Sequence, residues 1–499
     1  MSPMKHTYLY LMPVSAALGL TLVGACTMHE VRDNPELPLV VPDAFAAATP
    51  EDTAAKTPDR WWKSFAAPEL DVLVGRTLAG NIDLRRGWHR IAQARALVTA
   101  SESSLFPTVN VNAGVGGQRS VFNVGEPVGI ISNTAASYTL GIGASYELDL
   151  WGKAAAQAEA AEMDLLASRQ DLESLAMTLA AQTTSVWMGM VGDLALLDLL
   201  ASQEENSQTF ATLIEARYAQ GLASALEVYQ QRQQVSALQA QRPLIEGRIR
   251  VAQHQLAALS GRTPQPATEG QRTLPALPAP PNTGLPVALL QRRPDIVAAR
   301  MRVTAADHRV GAAIANQYPS INLSASTGFQ SPDIGVLFEQ WVWNLAANIV
   351  QPLFDGGRRS AEVDRQQAMV RDLLDGYAST LLSAVVEVED ALVQQAHQRE
   401  HLVRLDAQLD LAAKSLAEAR LRYTNGLSTY LNVLTALRTQ QQTEQSRLAA
   451  YRQLLAYRIQ LHRALGGSWP QCLAPAGEMA DPKKCPDTTA TQGSQETTQ

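Results

Sequence analysis

The 499-residue chain is 46% hydrophobic and 18% charged, which is enough apolar material for a large core. With 41 Lys and Arg against 48 Asp and Glu its formal net charge is −7, so it offers no basic surface to neutralise phosphates, and no nucleic-acid partner is expected. Its 31 Gly, 26 Pro and 3 Cys exclude collagenous and disulfide-dense classes. Past the N-terminus no apolar, charge-free stretch of about 18 residues stands out, so any membrane crossing is expected from strands, which hydropathy averages hide.

The first segment reads as an address. Lys5 and His6 precede the apolar run Leu9 to Leu22, closed by Val23-Gly24-Ala25-Cys26, in the order of a secretory signal. The closing box resembles a bacterial lipoprotein cleavage site. That resemblance implies removal of residues 1–25, acylation of Cys26 and, because Thr27 is not Asp, onward export to the outer membrane. Residues 26–56 are then an acylated, extended N-terminal segment. Cys472 and Cys485 lie in a polar tail, residues 468–499, where a disulfide and two free thiols both stay open.

The remainder is written twice. Arg217-Tyr218-Ala219-Gln220-Gly221-Leu222 returns as Arg422-Tyr423-Thr424-Asn425-Gly426-Leu427, and Gly152-Lys153 as Gly357-Arg358 at the same offset. Phe106-Pro107-Thr108-Val109-Asn110-Val111 is echoed by Tyr318-Pro319-Ser320-Ile321-Asn322-Leu323. Duplication places a first repeat at 57–262 and a second at 286–467, joined by a Pro-rich linker at 263–285 that is too proline-dense for a regular helix.

Each repeat begins with a helix followed by two strands, at about 107–117 and 137–150, and again at about 319–330 and 341–351. Val109, Val111, Ala113 and Val115 alternate with Asn110, Asn112 and Gly114. Tyr138, Leu140, Ile142, Ala144, Tyr146 and Leu148 alternate with Thr139, Gly141, Gly143, Ser145 and Glu147. Period 2 over about ten residues fits a soluble sheet or a barrel with lipid outside and water inside, and the terminal aromatics favour the barrel. Backbone in lipid must be fully paired, so four strands cannot span alone. Two copies would give a barrel filled by side chains, whereas three give twelve strands and a lumen, which the inward Gly, Ser and Asn favour.

After each strand pair comes a very long helical segment, without proline from Lys153 to Arg242 and from Leu353 to Trp469. Leu402, Leu405, Leu409, Ala412, Leu416, Ala419 and Tyr423 recur at 3, 4 spacing, a coiled-coil seam. The predicted fold is an α+β membrane protein, a duplicated unit of long α-helices plus four transmembrane β-strands. In a homotrimer it forms a 12-stranded β-barrel continued by an α-helical barrel.

With these pieces in place, the chain resembles the TolC-type outer-membrane efflux channels and, closely, the lipoprotein branch containing OprM and NodT-like outer membrane factors. The words that carry it are Trp61-Trp62-x-x-Phe65-x-x-Pro68-x-Leu70, Asn81-x-Asp83-Leu84, Tyr146-x-Leu148-Asp149-Leu150-Trp151-Gly152 and Arg293-Pro294-Asp295-Ile296, with the paired Tyr-x-x-Gly turns. The resemblance implies a trimer of four strands per subunit and a periplasmic helical tunnel. It also implies docking through a periplasmic adaptor (membrane fusion) protein onto an inner-membrane pump, usually proton-driven. The function implied is a passive conduit for small toxic compounds or drugs.

The turns Tyr218, Gly221, Leu222 and Tyr423, Gly426, Leu427 read on their own as two helical hairpins, since glycine takes positive φ where one helix ends. The resemblance makes them the periplasmic tip and the adaptor contact. Family members often carry carboxylates just after each glycine; here Glu227 fits, while the second turn offers Asn432 and Thr435, so these three are the candidate pore gate. A three-fold Glu227 ring would focus cations, but the second acidic ring is absent.

No catalytic set is recognisable, and neither cofactor nor metal is expected. His397-Gln398-Arg399-Glu400-His401 spells an inverted zinc-protease word, but it lies in the coiled-coil segment without a third ligand. Two other readings of the tube stay open. One is a general porin or an outlet for protein secretion; the other is a lipid-anchored coiled-coil scaffold without a pore.

Overall fold

The computed structural model describes residues 29–32, 37–47, 60–123, 130–265, 270–281, 283 and 286–466. The signal, Cys26, Cys472 and Cys485 lie outside the described residues. The elements are α1 (Pro68–Gly80), α2 (Ile82–Glu102), β1 (Thr108–Asn123), β2 (Ile130–Leu148), α3 (Lys153–Ala219) and α4 (Ala225–Leu259). They continue with α5 (Leu289–Arg292), α6 (Pro294–Ala315), β3 (Ser320–Ser331), β4 (Trp341–Val350), α7 (Arg358–Thr424) and α8 (Tyr430–Ala464). The duplication is plain in the lengths, 67 residues for both α3 and α7 and 35 for both α4 and α8. The described residues fall into two compact units, the first within 1–36, 93–165 and 300–374 and the second within 37–92, 166–299 and 375–499.

The first unit holds one antiparallel sheet in the order β1-β2-β3-β4. Its register aligns the alternation of all four strands. Val109, Ala144, Ala325 and Leu345 stand in one row and Val111, Ile142, Thr327 and Trp343 in the next. The intervening rows, on the other face, are Asn110, Gly143, Ser326, Asn344 and Asn112, Gly141, Gly328, Val342. One face is therefore apolar and the other mostly small or polar. The apolar face is bare: Val111 is 72% exposed, Trp343 67% and Leu345 72%. A sheet in water would cover such a surface, whereas lipid solvates it.

The strands depart from the sequence-based limits on one side. The β1–β2 ladder continues beyond the expected ends at 117 and 137, to Asn123 opposite Ile130. In this extension Arg119 faces Thr134 and Ser120 faces Asn133. Main-chain pairing persists where the apolar alternation stops, because ladder bonds need no lipid-facing side chains; alternation therefore marks the apolar band rather than the strand.

Two equivalent corners join sheet to helix. Asp149 accepts from the amides of Ala154 (3.1 Å) and Ala155 (2.8 Å), capping α3, and the Trp151 indole donates to the Pro319 carbonyl at 2.8 Å. Asp355 accepts from the Gly357 amide at 3.1 Å and the Arg359 amide at 3.3 Å ahead of α7. Asp149-x-x-Gly152-Lys153 and Asp355-x-Gly357-Arg358, one residue apart in spacing, thus each encode a helix start.

The core of the second unit gathers Trp61, Trp62, Phe65, Leu70, Trp187, Met188, Ile249, Leu455 and Ile459. It also corrects one expectation. Residues 174–192 carry no charge, and α3 contains an 18-residue window of mean hydropathy 1.4, long and apolar enough to cross a membrane. Ala176, Ala180, Trp187 and Val191 from this stretch are fully buried in protein, so its apolarity serves the core. Three helices are pinned at the buried Asp193, whose carboxylate takes Arg248 of α4 at 2.9 Å and Arg452 of α8 at 3.1 Å. The Arg293 guanidinium of the Arg-Pro-Asp-Ile word is buried and bonds Asp295 (2.7 Å), Glu387 of α7 (2.9 Å) and the Ala464 carbonyl (3.1 Å).

Candidate functional site

At the ends of α3 and α7 the chain makes the same turn twice. The Leu222 amide bonds the Arg217 carbonyl and the Gly221 amide the Tyr218 carbonyl, at 2.8 and 2.9 Å; Leu427 to Arg422 and Gly426 to Tyr423 repeat this at 2.8 and 3.0 Å. These paired bonds are a Schellman motif, which needs a left-handed residue at its fifth position. Gly221 and Gly426 supply it, with φ of 74° and 75°.

The two turns lead into differently secured helices. Ser224 opens α4 with a capping box: its hydroxyl accepts from the Glu227 amide, and the Glu227 carboxylate accepts from the Ser224 amide, both at 3.3 Å. Thr429 opens α8 without a side-chain cap, and Asn432, the counterpart of Glu227, turns instead to the Ser428 hydroxyl at 2.9 Å. Thr435 bonds back to the Leu431 carbonyl at 2.8 Å.

Glu227 has a second role that the sequence did not announce. Its Oε2 accepts from the Tyr423 hydroxyl at 3.1 Å, linking the two hairpins. Tyr423 is buried, stands edge-on to Tyr430 at 5.7 Å, and carries the Arg217 guanidinium 4.9 Å from its ring centre. Burial, with the Glu227 carboxylate beside it, raises the Tyr423 phenol above its ordinary value, so it remains a donor. Its repeat counterpart Tyr218 is 52% exposed, as are Leu222 (60%) and Leu427 (78%). The residues at the two turns therefore separate into an inner pair, Tyr423 and Glu227, and an outer set of exposed apolar side chains.

Below the bridge the two hairpins meet through amides. Gln231 and Gln441 are buried; Gln231 donates to the Ser207 carbonyl (2.6 Å), and Gln441 donates to the Ser207 hydroxyl (3.0 Å) and accepts from Gln234 (2.8 Å). The Tyr430 hydroxyl donates to Gln231, and Arg438 bonds Gln234 and Gln233, each at 2.7 Å. Sequence patterning missed these residues because buried glutamines break an apolar seam; the Ser-x-x-Glu word at Ser224 was the readable signal. His397 and His401 are both exposed on α7, and among the described residues no group of three metal-ligating side chains forms.

Two long-helix hairpins with duplicated glycine turns, and a sheet with one bare apolar face, narrow the fold sharply. A family profile described as outer membrane efflux protein matches residues 73–262 and 285–467. The chain belongs to the outer membrane efflux protein family. Among members of this outer membrane efflux family, the pyoverdine export outer membrane protein OpmQ of Pseudomonas aeruginosa is 31% identical, over 90% of this chain and 97% of that protein. The toluene efflux pump outer membrane protein TtgF of Pseudomonas putida is 30% identical, over 93% and 98%. The solved outer-membrane channel OprN superposes with a TM-score of 0.82 at 28% identity, covering 89% of this chain and all of that one. This outer membrane efflux protein has the TolC-type fold, helical barrel plus β-domain, and works in transport at the outer membrane.

Proposed function

We propose that this chain is the passive outer conduit of a three-part efflux system, built as a homotrimer. The observation that carries this reading is the sheet. It is lipid-like on one face and mostly small and polar on the other, and β1 and β4 have no further strand on their outer sides among the described residues. In hydrocarbon those edges must pair, and three copies pairing β4 to β1 close twelve strands around a lumen. Cys26 would add acyl anchoring to outer-membrane lipid, at about 0.8 kcal/mol per buried CH₂.

The hairpin ends are the inner tip. Exposed Tyr218, Leu222 and Leu427 form an apolar rim suited to a periplasmic adaptor, and the adaptor links the tube to an inner-membrane pump that supplies the energy. The Glu227–Tyr423 bond holds the two hairpins in the resting arrangement. Glu227, Asn432 and Thr435 are the gate candidates, with Glu227 acting through this bridge. The chain performs no chemistry of its own in this scheme.

The names of the relatives concern pyoverdine and toluene, which favours small compounds over a protein cargo. Deletion of the gene tests the reading: sensitivity to small toxic compounds rises, and the full-length chain restores resistance. Unchanged sensitivities with a protein cargo trapped in the periplasm would identify a secretion outlet instead. Cys26→Ser should abolish lipid labelling, and crosslinking followed by co-purification would identify the adaptor and pump.

A further inference from the structure

One face of α8 near the tip carries Asn432, Thr435, Thr439, Gln442 and Ser446, at 3, 4, 3, 4 spacing. The first four are exposed and none is charged, whereas Val433, Leu434 and Leu437 on the opposite face are buried in the tip core. A groove of about 300 Å³ between α7 and α8 is lined by Asn432, Thr435, Thr439, Ser415 and three alanines, again without a charge. A larger neighbouring groove, about 630 Å³, is lined mainly by glutamines and hydroxyls, and its one charged residue is Arg438.

The charges around this stripe do not cancel. Within residues 210–235 and 415–440 five arginines face three glutamates, two positive charges in excess in a chain whose total is −7. Arg232 pairs with Glu215 at 2.8 Å and Arg422 with Glu418 at 2.7 Å. The remaining cations have no carboxylate partner among the described residues. Arg217 lies over the Tyr423 ring, Arg420 over the Phe210 ring at 4.3 Å, and Arg438 bonds glutamine oxygens. The one remaining acid, Glu227, is held by the Tyr423 hydroxyl and by the Ser224 amide at the positive end of α4.

We propose that the tip is an anion-passing constriction: the uncharged α8 stripe faces the solute path, and the excess arginines, Arg438 foremost, favour small carboxylate-bearing solutes over cations. This rests on the conduit function proposed above. A path through a low-dielectric constriction passes the ions whose charge its walls oppose, and three copies multiply the excess. An acidic ring would reject such solutes; here the equivalent positions are Asn432 and Thr435.

The test is the reversal potential of the purified full-length trimer in planar bilayers under a KCl gradient. It is measured in the wild type and in Tyr423→Phe, which lacks the bond to Glu227 and so opens more readily. Chloride should be favoured over potassium by about twofold or more. Asn432→Asp, which places a carboxylate where the first repeat already tolerates Glu227, should move selectivity toward potassium, and Arg438→Gln should do so independently. A conducting wild type that favours potassium overturns the proposal. So does conductance whose selectivity neither substitution moves, because the stripe would then lie off the path. Absence of conductance in both wild type and Tyr423→Phe would defeat the conduit function itself, which separates the two failures.

Discussion

The Tyr423 phenol donates to Glu227 across 3.1 Å, so the last turn of α7 is tied to the first turn of α4 by a single charge-assisted bond. Such bonds contribute about 1.5–3 kcal/mol when buried, and about 1 kcal/mol is reasonable for the half-exposed Glu227. Tyr423→Phe keeps the ring packing against Tyr430 and removes the hydroxyl with its bonds to Glu227 and Arg217. Open probability in single-channel recordings should rise about fivefold, the equivalent of about 1 kcal/mol. Unchanged gating would show that the bond does not hold the resting tip.

Gly426 has a φ of 75° and nothing within reach of an added Cβ, so any penalty at this position comes from the backbone rather than from crowding. Gly426→Ala should cost about 1–2 kcal/mol, and Gly426→Pro, whose ring fixes φ near −65°, should destroy the turn. The sheet lies in the other unit, so heat-resistant trimers should persist in Gly426→Pro while export is lost. Loss of the trimer as well would mean that assembly depends on the tip.

Much of this arrangement was readable because it is local and periodic. The seam through Leu405, Ala412, Leu416 and Tyr423 is buried, strand alternation predicted the rows of one sheet face, and the repeated Tyr-x-x-Gly words fold into identical turns. What escaped is long-range pairing. Glu227 and Tyr423 are 196 residues apart, and the Asp193 pin draws one residue from each of three helices. Nothing in the spacing of a lone carboxylate says which arginine will reach it. The charge-free stretch in α3 misled for a related reason: burial in protein and burial in lipid select the same residues.

Arg293 joins Asp295, Glu387 and the carbonyl that ends α8. Arg293→Met keeps the stem but leaves Asp295 without its cation, whereas Glu387 keeps Arg463 at 3.5 Å. The cost should be about 2–4 kcal/mol, below the full value for a buried network because Glu387 is 38% exposed. Thermal unfolding would report it, and Asp295→Asn in the Arg293→Met background should recover part of the loss.

His462 stacks on Trp61 with ring centres 5.1 Å apart, and burial, reinforced by Arg458, lowers its pKa to about 3 from 6.5. The neutral ring is the folded form, while the unfolded chain takes up a proton near pH 6.5. Stability from this site is therefore complete above about pH 6.5 and declines as the pH falls toward about 3, by at most about 1.4 kcal/mol per unit. His462→Phe keeps a ring against Trp61 without the titration. The drop in melting temperature between pH 7.5 and 5 should be smaller in that variant; an identical drop would assign the acid sensitivity to other groups.

Leu345 and Asn344 are neighbours on β4 that point to opposite faces, one in the row with Ala325 and the other in the row with Ser326. If the Leu345 face meets lipid, Leu345→Arg places a charge in hydrocarbon and should cost about 2–4 kcal/mol near the midplane, appearing as a loss of assembled trimer. Asn344→Arg puts the same charge one residue away in the aqueous lumen, where it should leave assembly intact and alter conductance instead. A soluble sheet packed on its apolar face would also reject the arginine at 345, so the discriminating measurement is the second one. A change in single-channel conductance from Asn344→Arg with the trimer retained can arise only if that face lines the pore.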